Sequence, residues 1–338
     1  MRKERFSAKK NKLQDFINKR SKILIVVHRS PDGDALGSML GWYHYLVSVG
    51  KKVSMWVPDA FPTTFDWMPG ISLINNFEDS REQAREELKE AELIFCLDFN
   101  SFSRTGKMGR FISASKAAKV LVDHHREPDS TFTLRFHDVE ASSACELVFN
   151  IIELLEGEIS LDMAECLYTG LITDTGSFRY STTVQTLAAA SKLIEAGVDN
   201  SKLQNKIFNV KTFESLKLRG YALSEKLRYL DEYNAGYIFL SKDDLETYNY
   251  NSGDTEGLVN EILGIKGVKM AVLFSEKEGE VRISFRSVGD FDVNEIASKY
   301  FGGGGHKNAA GARSQVSLEE TEKIILTIMD DYGTQLKA

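Results

Sequence analysis

Four short islands in this 338-residue chain carry side chains suited to divalent cations: His28-Arg29-Ser30-Pro31-Asp32-Gly33-Asp34, Leu97-Asp98, Asp123-His124-His125 and Thr173-Asp174-Thr175-Gly176. His28, His124, Asp32, Asp34, Asp98 and Asp174 together offer two imidazoles and four carboxylates, about what two adjacent cations require. Imidazole and carboxylate donors without thiolate suit Mn2+, with Mg2+ or Co2+ also compatible. Two such ions roughly 3.5–4 Å apart can acidify a bridging water and brace the phosphate that it attacks. Each island alone has an ordinary reading. Asp-Gly-Asp is commonly a turn, paired histidines are commonly structural, and Asp174 could cap a helix. Only convergence of several islands changes that balance. No Ser-His-Asp or Cys-His motif offers a side-chain nucleophile instead.

The elements around the islands supply the convergence. Residues 22–27 form a continuous apolar run, the mark of a buried strand. Residues 34–49 repeat Leu36, Leu40, Tyr43 and Val47 at helical spacing. Further short apolar runs at 53–57, 93–97 and 120–122, with a candidate edge strand at 132–136, alternate with polar or helical pieces. That alternation predicts a parallel sheet covered by helices, whose ligands gather at the carboxyl ends of its strands. His28 follows the first run, Asp98 ends the third and Asp123-His124-His125 ends the fourth. On this reading His28, Asp32 and Asp98 hold one cation, and Asp34, Asp98, His124 and Asp174 hold the other, with Asp98 bridging. Gly33, tolerant of unusual backbone angles, would let Asp32 and Asp34 face different ions.

Residues 142–155, 161–173, 186–196 and 213–230 read as helices. From about residue 230 the pattern becomes mixed, with strand-like 236–240, 268–274 and 281–285 and helices near 256–263, 293–300 and 318–332. The expected fold class is therefore α/β: a Rossmann-like parallel sheet covered by helices, a helical linker and a smaller C-terminal α/β domain with a mixed sheet. The expected domains are 1–190 for metal binding, 191–229 as linker and 230–338 for substrate, with a hinge near 190–215 opening and closing a cleft. Gly302, Gly303, Gly304 and Gly305 remove four consecutive side chains, so backbone N–H groups there can cradle an anion beside His306. The competing reading is a flexible turn before a helix-like 307–311. Arg282 and Arg286 alternate with Ile283 and Phe285, which puts both arginines on one strand face, Arg286 next to Ser287. Arg forks suit phosphate, although a solvated strand face is equally ordinary. Arg104 and Lys107, just after Asp98, either add positive charge near the metal rim or are loop surface. His44 and His137 read as structural.

Composition bounds the function. The formal net charge is −7, so this chain does not coat nucleic acid with a basic surface. Two divalent cations would add +4 and leave −3, which favours short substrates with few phosphate contacts. No apolar stretch suggests a membrane span or signal sequence, and Cys96, Cys145 and Cys166 sit in apolar runs as core thiols. Both features point to the cytoplasm. The basic start, nine Lys/Arg against two acids through Lys22, reads as a charged helix face.

At these residues the chain resembles the DHH phosphoesterase superfamily, whose triplet is Asp123-His124-His125 here. The other N-terminal motifs match at His28-x-x-x-Asp32-x-Asp34, Asp98 and Thr173-Asp174-Thr175-Gly176, and Phe301 to His306 resembles the signature of the DHH-associated domain. Length and layout most resemble the nanoRNase/pAp phosphatase branch. The resemblance implies two bound cations, hydrolysis of short oligoribonucleotides to mononucleotides and of 3′-phosphoadenosine 5′-phosphate (pAp) to AMP, and a possible homodimer. It implies the ligand roles above, with Asp98 also catalytic, His125 facing the scissile phosphate and Asp123 orienting a histidine. Substrate binding would fall to Arg286, Ser287, the four glycines and His306. The rival activities are hydrolysis of pApA or a cyclic dinucleotide, hydrolysis of polyphosphate or pyrophosphate, and, outside enzymes, inactive RNA binding.

Overall fold

The computed structural model describes residues 5–251, 253–277 and 279–337. Its chain contacts divide it into two compact units, Met1–Val210 and Lys211–Ala338. The stretch 191–229 passes from one to the other at 210/211.

The first unit is built on six parallel strands: β1 (Ile23–Val26), β2 (Val53–Val57), β3 (Ile74–Asn76), β4 (Leu93–Leu97), β5 (Ala118–Asp123) and β6 (Leu134–His137). Their order across the sheet is β3-β2-β1-β4-β5-β6. The order reverses between β1 and β4, and such a switch point opens a crevice at the carboxyl ends of the two strands. Helices α1 (Lys10–Asn18), α2 (Gly33–Ser48), α3 (Arg81–Glu90), α4 (Gly109–Ala114), α5 (Ala144–Leu154), α6 (Leu161–Asp174), α7 (Val184–Glu195) and α8 (Asn200–Phe208) surround the sheet. Burial on both faces explains why the strands read as unbroken apolar runs. Ile23 and Ile25 of β1 join the cluster that contains Leu36, Leu40 and Leu167, whereas Leu24 and Val26 join the one with Ala84, Leu88 and Ile112.

The second unit begins with α9 (Phe213–Tyr221) and carries a mixed six-stranded sheet: β7 (Leu227–Leu230), β8 (Ala235–Leu240), β9 (Met270–Lys277), β10 (Glu280–Ser287), β11 (Gly304–His306) and β12 (Ala309–Ser314). Only β8 and β9 run parallel in its β11-β12-β10-β9-β8-β7 order. Its remaining helices are α10 (Lys242–Thr247), α11 (Leu258–Leu263), α12 (Val293–Phe301), α13 (Leu318–Asp331) and α14 (Gly333–Lys337).

Two local expectations are corrected. The predicted helix over 213–230 ends at Tyr221; one π-helical turn, Ala222–Lys226, leads into strand β7. A run such as Leu227-Arg228-Tyr229-Leu230 fits either period, and pairing with β8 decides it. The helix-like 307–311 is instead a tight turn leading into β12, which lies between β10 and β11. The alanines there favour helix locally, but the sheet pairing overrides them. No helix among the described residues is long and apolar enough to cross a membrane.

Candidate metal centre

The strand ends bring the N-terminal islands together. Asp98, one residue past β4, is 2 % exposed and adopts a left-handed backbone at φ +60°. A non-glycine residue there is strained, and its N–H is held by the Val122 carbonyl of β5 at 3.0 Å. Its Oδ2 lies 3.3 Å from His28 Nε2, and its Oδ1 lies 3.4 Å from His124 Nε2. Asp32 Oδ1 is 3.9 Å from His28 Nε2. Around His124 Nε2 lie also Asp34 Oδ2 at 3.8 Å and Asp174 Oδ2 at 3.6 Å. Within the first unit, potential ligand atoms therefore cluster within 4.8 Å of one another in three groups: His28/Asp32/Asp98, Asp34/Asp98/His124 and Asp98/Asp123/His125. Asp98 is common to all three.

Neighbouring backbone orients these side chains. Asp32 caps α2, its Oδ1 accepting from the N–H groups of Asp34 and Ala35 at 3.0 Å each. Asp34 accepts from Ala144 N–H at 2.6 Å and Cys145 N–H at 2.8 Å, so the amino end of α5 fixes both its oxygens. His28 Nδ1 meets the Arg29 carbonyl at 2.8 Å and His124 Nδ1 meets the Ala141 carbonyl at 3.3 Å. A carbonyl can only accept, so each Nδ1 carries a proton and each Nε2 faces the carboxylates. His125 Nδ1 donates to Asp123 Oδ1 at 2.8 Å, which leaves the neutral ring's lone pair on Nε2. The His137 ring donates to the His125 carbonyl at 2.5 Å, and His44 donates to the Pro69 carbonyl at 3.0 Å.

The reason for Gly33 differs from expectation. It is helical and has no positive φ. A Cβ on Gly33 would lie 2.4 Å from Thr173 Oγ1, and Cβ atoms on Gly37 and Gly41 would meet Cys166 O and Leu167 Cδ2 at 2.5 Å each. On the facing helix α6, a Gly170 Cβ would reach 2.2 Å from Cys145 Sγ. A four-residue glycine spacing thus lets α2 and α6 approach closely enough to bring Asp34 and Asp174 to one ring. That spacing was the available sequence signal for these residues. The amides of Ala144 and Cys145 carried none, because only tertiary packing brings them to Asp34.

Electrostatics test whether cations fit. Burial raises Asp34 well above the usual carboxylate range, and the charges of Asp98 and Asp174 add to it. Asp174 rises to about 7, by burial first, with Asp32 and Asp98 pushing the same way against His124. Burial alone would lower His28, but Asp98 and Asp32 more than reverse this and raise it to about 9. His124 is likewise raised by Asp98 and Asp174 against burial. Burial also opposes ionisation of Asp98, yet the imidazoles of His124 and His28 beside it hold its carboxyl well below the usual range. Burial lowers His125 despite Asp123, so its ring is neutral at pH 7. Buried Oδ1 of Asp98 and Oδ2 of Asp123 have no hydrogen-bond partner among the described residues. Crowded carboxylates, two convergent imidazole nitrogens and orphaned buried oxygens suit divalent cations.

Arg104 acts electrostatically on His28 and His125, and its carbonyl accepts from Arg29 N–H at 2.8 Å. Lys107 instead pairs with Glu78 at 3.5 Å. In the C-terminal unit, Gly302 ends α12 in the left-handed conformation at φ +61°. A Cβ on Gly303 would lie 2.3 Å from Gly311 O and one on Gly305 2.4 Å from Ala309 O. The fold itself thus accounts for three of the four glycines, and Gly304 is left as an exposed position without that demand. His306 is half-buried opposite Ala309. Arg286 is half-buried, with Nη1 on the Phe285 carbonyl at 2.9 Å, while Arg282 and Arg313 share Glu280 at 3.5 and 2.8 Å. Ser287 is buried; its hydroxyl donates to Phe291 O at 2.6 Å and accepts from Asn308 at 2.9 Å.

Comparison with known proteins agrees with this geometry. Residues 22–171 match the DHH family, N-terminal domain, and residues 235–332 match the DHHA1 domain. The chain is 29% identical over 309 residues to the bifunctional oligoribonuclease and PAP phosphatase NrnA of Bacillus subtilis, covering 89% of this chain and 92% of that one. It superposes on an exopolyphosphatase-related protein from Bacteroides fragilis with a TM-score of 0.95 and 38% identity, covering 98% of each. RecJ of Thermus thermophilus, solved in complex with Mn2+, shares the fold at a TM-score of 0.56 and 15% identity, over 98% of this chain and 55% of RecJ. The chain belongs to the DHH family of phosphoesterases, hydrolases of phosphate esters, and carries a DHHA1 domain.

Proposed function

We propose that this protein hydrolyses short oligoribonucleotides to mononucleotides and pAp to AMP, with two divalent cations, Mn2+ foremost. The observation that carries the reading is the sharing of Asp98 among three groups of potential ligands at a sheet switch point. Its substrate half is supported by the activity for which the B. subtilis relative is named, a protein that matches along nearly the whole chain. His28, Asp32 and Asp98 would hold one cation and Asp34, Asp98, His124 and Asp174 the other. Bound there, the cations supply a nucleophilic water at neutral pH and positive charge for the reacting phosphate. Asp123 fixes the tautomer of His125, whose neutral Nε2 can bind or pass a proton at the phosphate. Arg286, the Gly302–Gly305 backbone and His306 would offer cationic and N–H groups to the nucleotide, and Ser287 would position the Asn308 turn. The second reading is polyphosphate hydrolysis, favoured by the B. fragilis relative's description.

The test offers pAp, a labelled diribonucleotide, pApA and polyphosphate side by side with Mn2+. Faster turnover of the diribonucleotide and pAp supports the proposal. Faster turnover of polyphosphate rejects the substrate class, and turnover of none rejects the activity.

A further inference from the structure

The segment that follows Asp174 is built unlike any other loop of the first unit. Gly176, Ser177 and Phe178 are consecutively left-handed, at φ 55°, 58° and 67°, and Ser181 adds 47°. Three of these four are not glycine, a strain that the surroundings must hold in place. They do: Ser177 N–H donates to Ile172 O at 2.8 Å, Phe178 N–H to Thr175 Oγ1 at 2.9 Å, and Arg179 and Tyr180 N–H to Thr175 O at 2.8 and 2.9 Å. The Ser177 hydroxyl ties the loop to Gln204 at 2.7 Å. The loop is therefore a fixed shelf, and what it displays is Arg179.

The Tyr180 ring folds back onto Gly176, where a Cβ would come within 2.9 Å of its Cδ2 and Cε2. The Arg179 guanidinium sits 5.4 Å from the centre of that ring. Both side chains are exposed, and Arg179 forms no side-chain hydrogen bond or ion pair among the described residues. A cavity of about 500 Å³ lies beside them, lined on one side by residues 139–141, Glu140 among them, and on the other by Phe178, Arg179 and residues 181–183. Its two sides touch the metal centre through the chain: Ala141 gives the carbonyl that orients His124, and Arg179 is five residues beyond Asp174. An exposed guanidinium held over an aromatic ring offers a charged fork and a stacking face to an anionic, planar ligand.

We infer that Arg179 and Tyr180 form a subsite for a second ribonucleotide unit, the neighbour of the scissile phosphate. Its phosphate meets the guanidinium fork and its base lies against the Arg179–Tyr180 stack. This rests on the proposed oligoribonucleotide activity and assigns the determinant of oligonucleotide over minimal substrate to the first unit.

The test measures kcat/KM with Mn2+ for a diribonucleotide and for bis(p-nitrophenyl) phosphate, which has no second nucleotide. Arg179→Ala should lower the diribonucleotide value on the order of tenfold or more, mainly through KM, and change the small diester less than about twofold. Arg179→Lys should recover only part, and Arg85→Ala, an exposed arginine paired with Glu82 on α3, should change neither. Equal losses on both substrates, or none on the diribonucleotide, overturn the subsite. Anisotropy of a fluorescent diribonucleotide on Asp98→Asn protein with Mn2+ gives a readout independent of turnover. Weaker binding after adding Arg179→Ala supports the subsite; unchanged binding, or no binding by the Asp98→Asn protein itself, overturns it. Wild-type protein inactive on both substrates refutes the proposed function, and the binding arm then still decides on Arg179.

Discussion

Each unit contains an aspartate surrounded by ionisable groups, half-buried in the C-terminal unit and fully buried in the first, and the two could hardly be more different. Asp244 in the C-terminal unit is saturated: its oxygens accept from Lys226 at 2.8 Å, the Tyr221 hydroxyl at 2.7 Å, and the hydroxyl and N–H of Ser241 at 2.8 and 2.9 Å. Burial opposes its charge, but Lys226, Tyr221 and Ser241 more than offset this and hold it at about 2. Asp98 in the first unit has three histidines and further acids for neighbours and leaves one buried oxygen without a hydrogen bond. A cluster that balances its own charge stabilises a fold. One that does not is waiting for charge from outside, and this imbalance separates a binding centre from a structural ion pair.

The largest effect should come from breaking the unbalanced cluster. Asp98→Ala should reduce Mn2+-dependent hydrolysis by about a thousandfold or more in initial-rate assays while the protein stays folded by circular dichroism. Asp244→Ala should leave activity per folded molecule unchanged. His125→Ala should cost about 10²–10⁴ in kcat if the ring moves a proton, and Asp123→Asn, which frees that ring's tautomer, about 10–100-fold.

Metal removal sharpens the contrast in stability. Mn2+ at a hundred times its Kd should stabilise the protein by about 2.7 kcal/mol, roughly 5–10 °C in Tm for a unit of this size. Asp174→Asn should shrink that shift yet lower Tm little, if at all, in chelator, because it removes one of the mutually repelling acids. Asp244→Ala should do the reverse, lowering Tm by an amount that Mn2+ does not change.

Gly33→Ala tests how the cluster is assembled. Its Cβ has nowhere to go beside Thr173, so about 1–3 kcal/mol of stability and part of the metal affinity should be lost together, measured by urea unfolding and calorimetric titration. The smallest effect concerns acid. Asp244 is depressed from an ordinary value near 4, so its contribution is present above that value. It should fade as pH falls toward about 2, costing about 1 kcal/mol after allowance for solvent screening.

The parts of this organisation legible in the sequence are those that depend on local pattern. Apolar runs revealed β1, β2, β4 and β5, and residues just past such runs in a parallel sheet must meet at one rim, which is why His28, Asp98 and His124 could be associated across a hundred residues. Short or small-residue elements were opaque. β3 has only three residues, β11 is Gly-Gly-His, and β12 is alanine-rich with no alternation to read. Gly33 was legible as important but for the wrong reason, since helix approach is a property of two elements at once. Ser287 followed an arginine on a promising strand face, yet its hydroxyl turns inward to Phe291. Arg179 and Tyr180 offered no periodicity or motif of their own and stand out only once the loop carrying them is seen.

The central claim is that Asp98 is shared between two bound cations. Anomalous diffraction from crystals grown with Mn2+, recorded on either side of the manganese edge, addresses it without reference to activity. The account predicts two peaks roughly 3.5–4 Å apart, one beside His28 and Asp32, the other beside Asp34, His124 and Asp174, with Asp98 reaching both. No peak at Asp98, or a single ion that leaves either group without a cation, would contradict it.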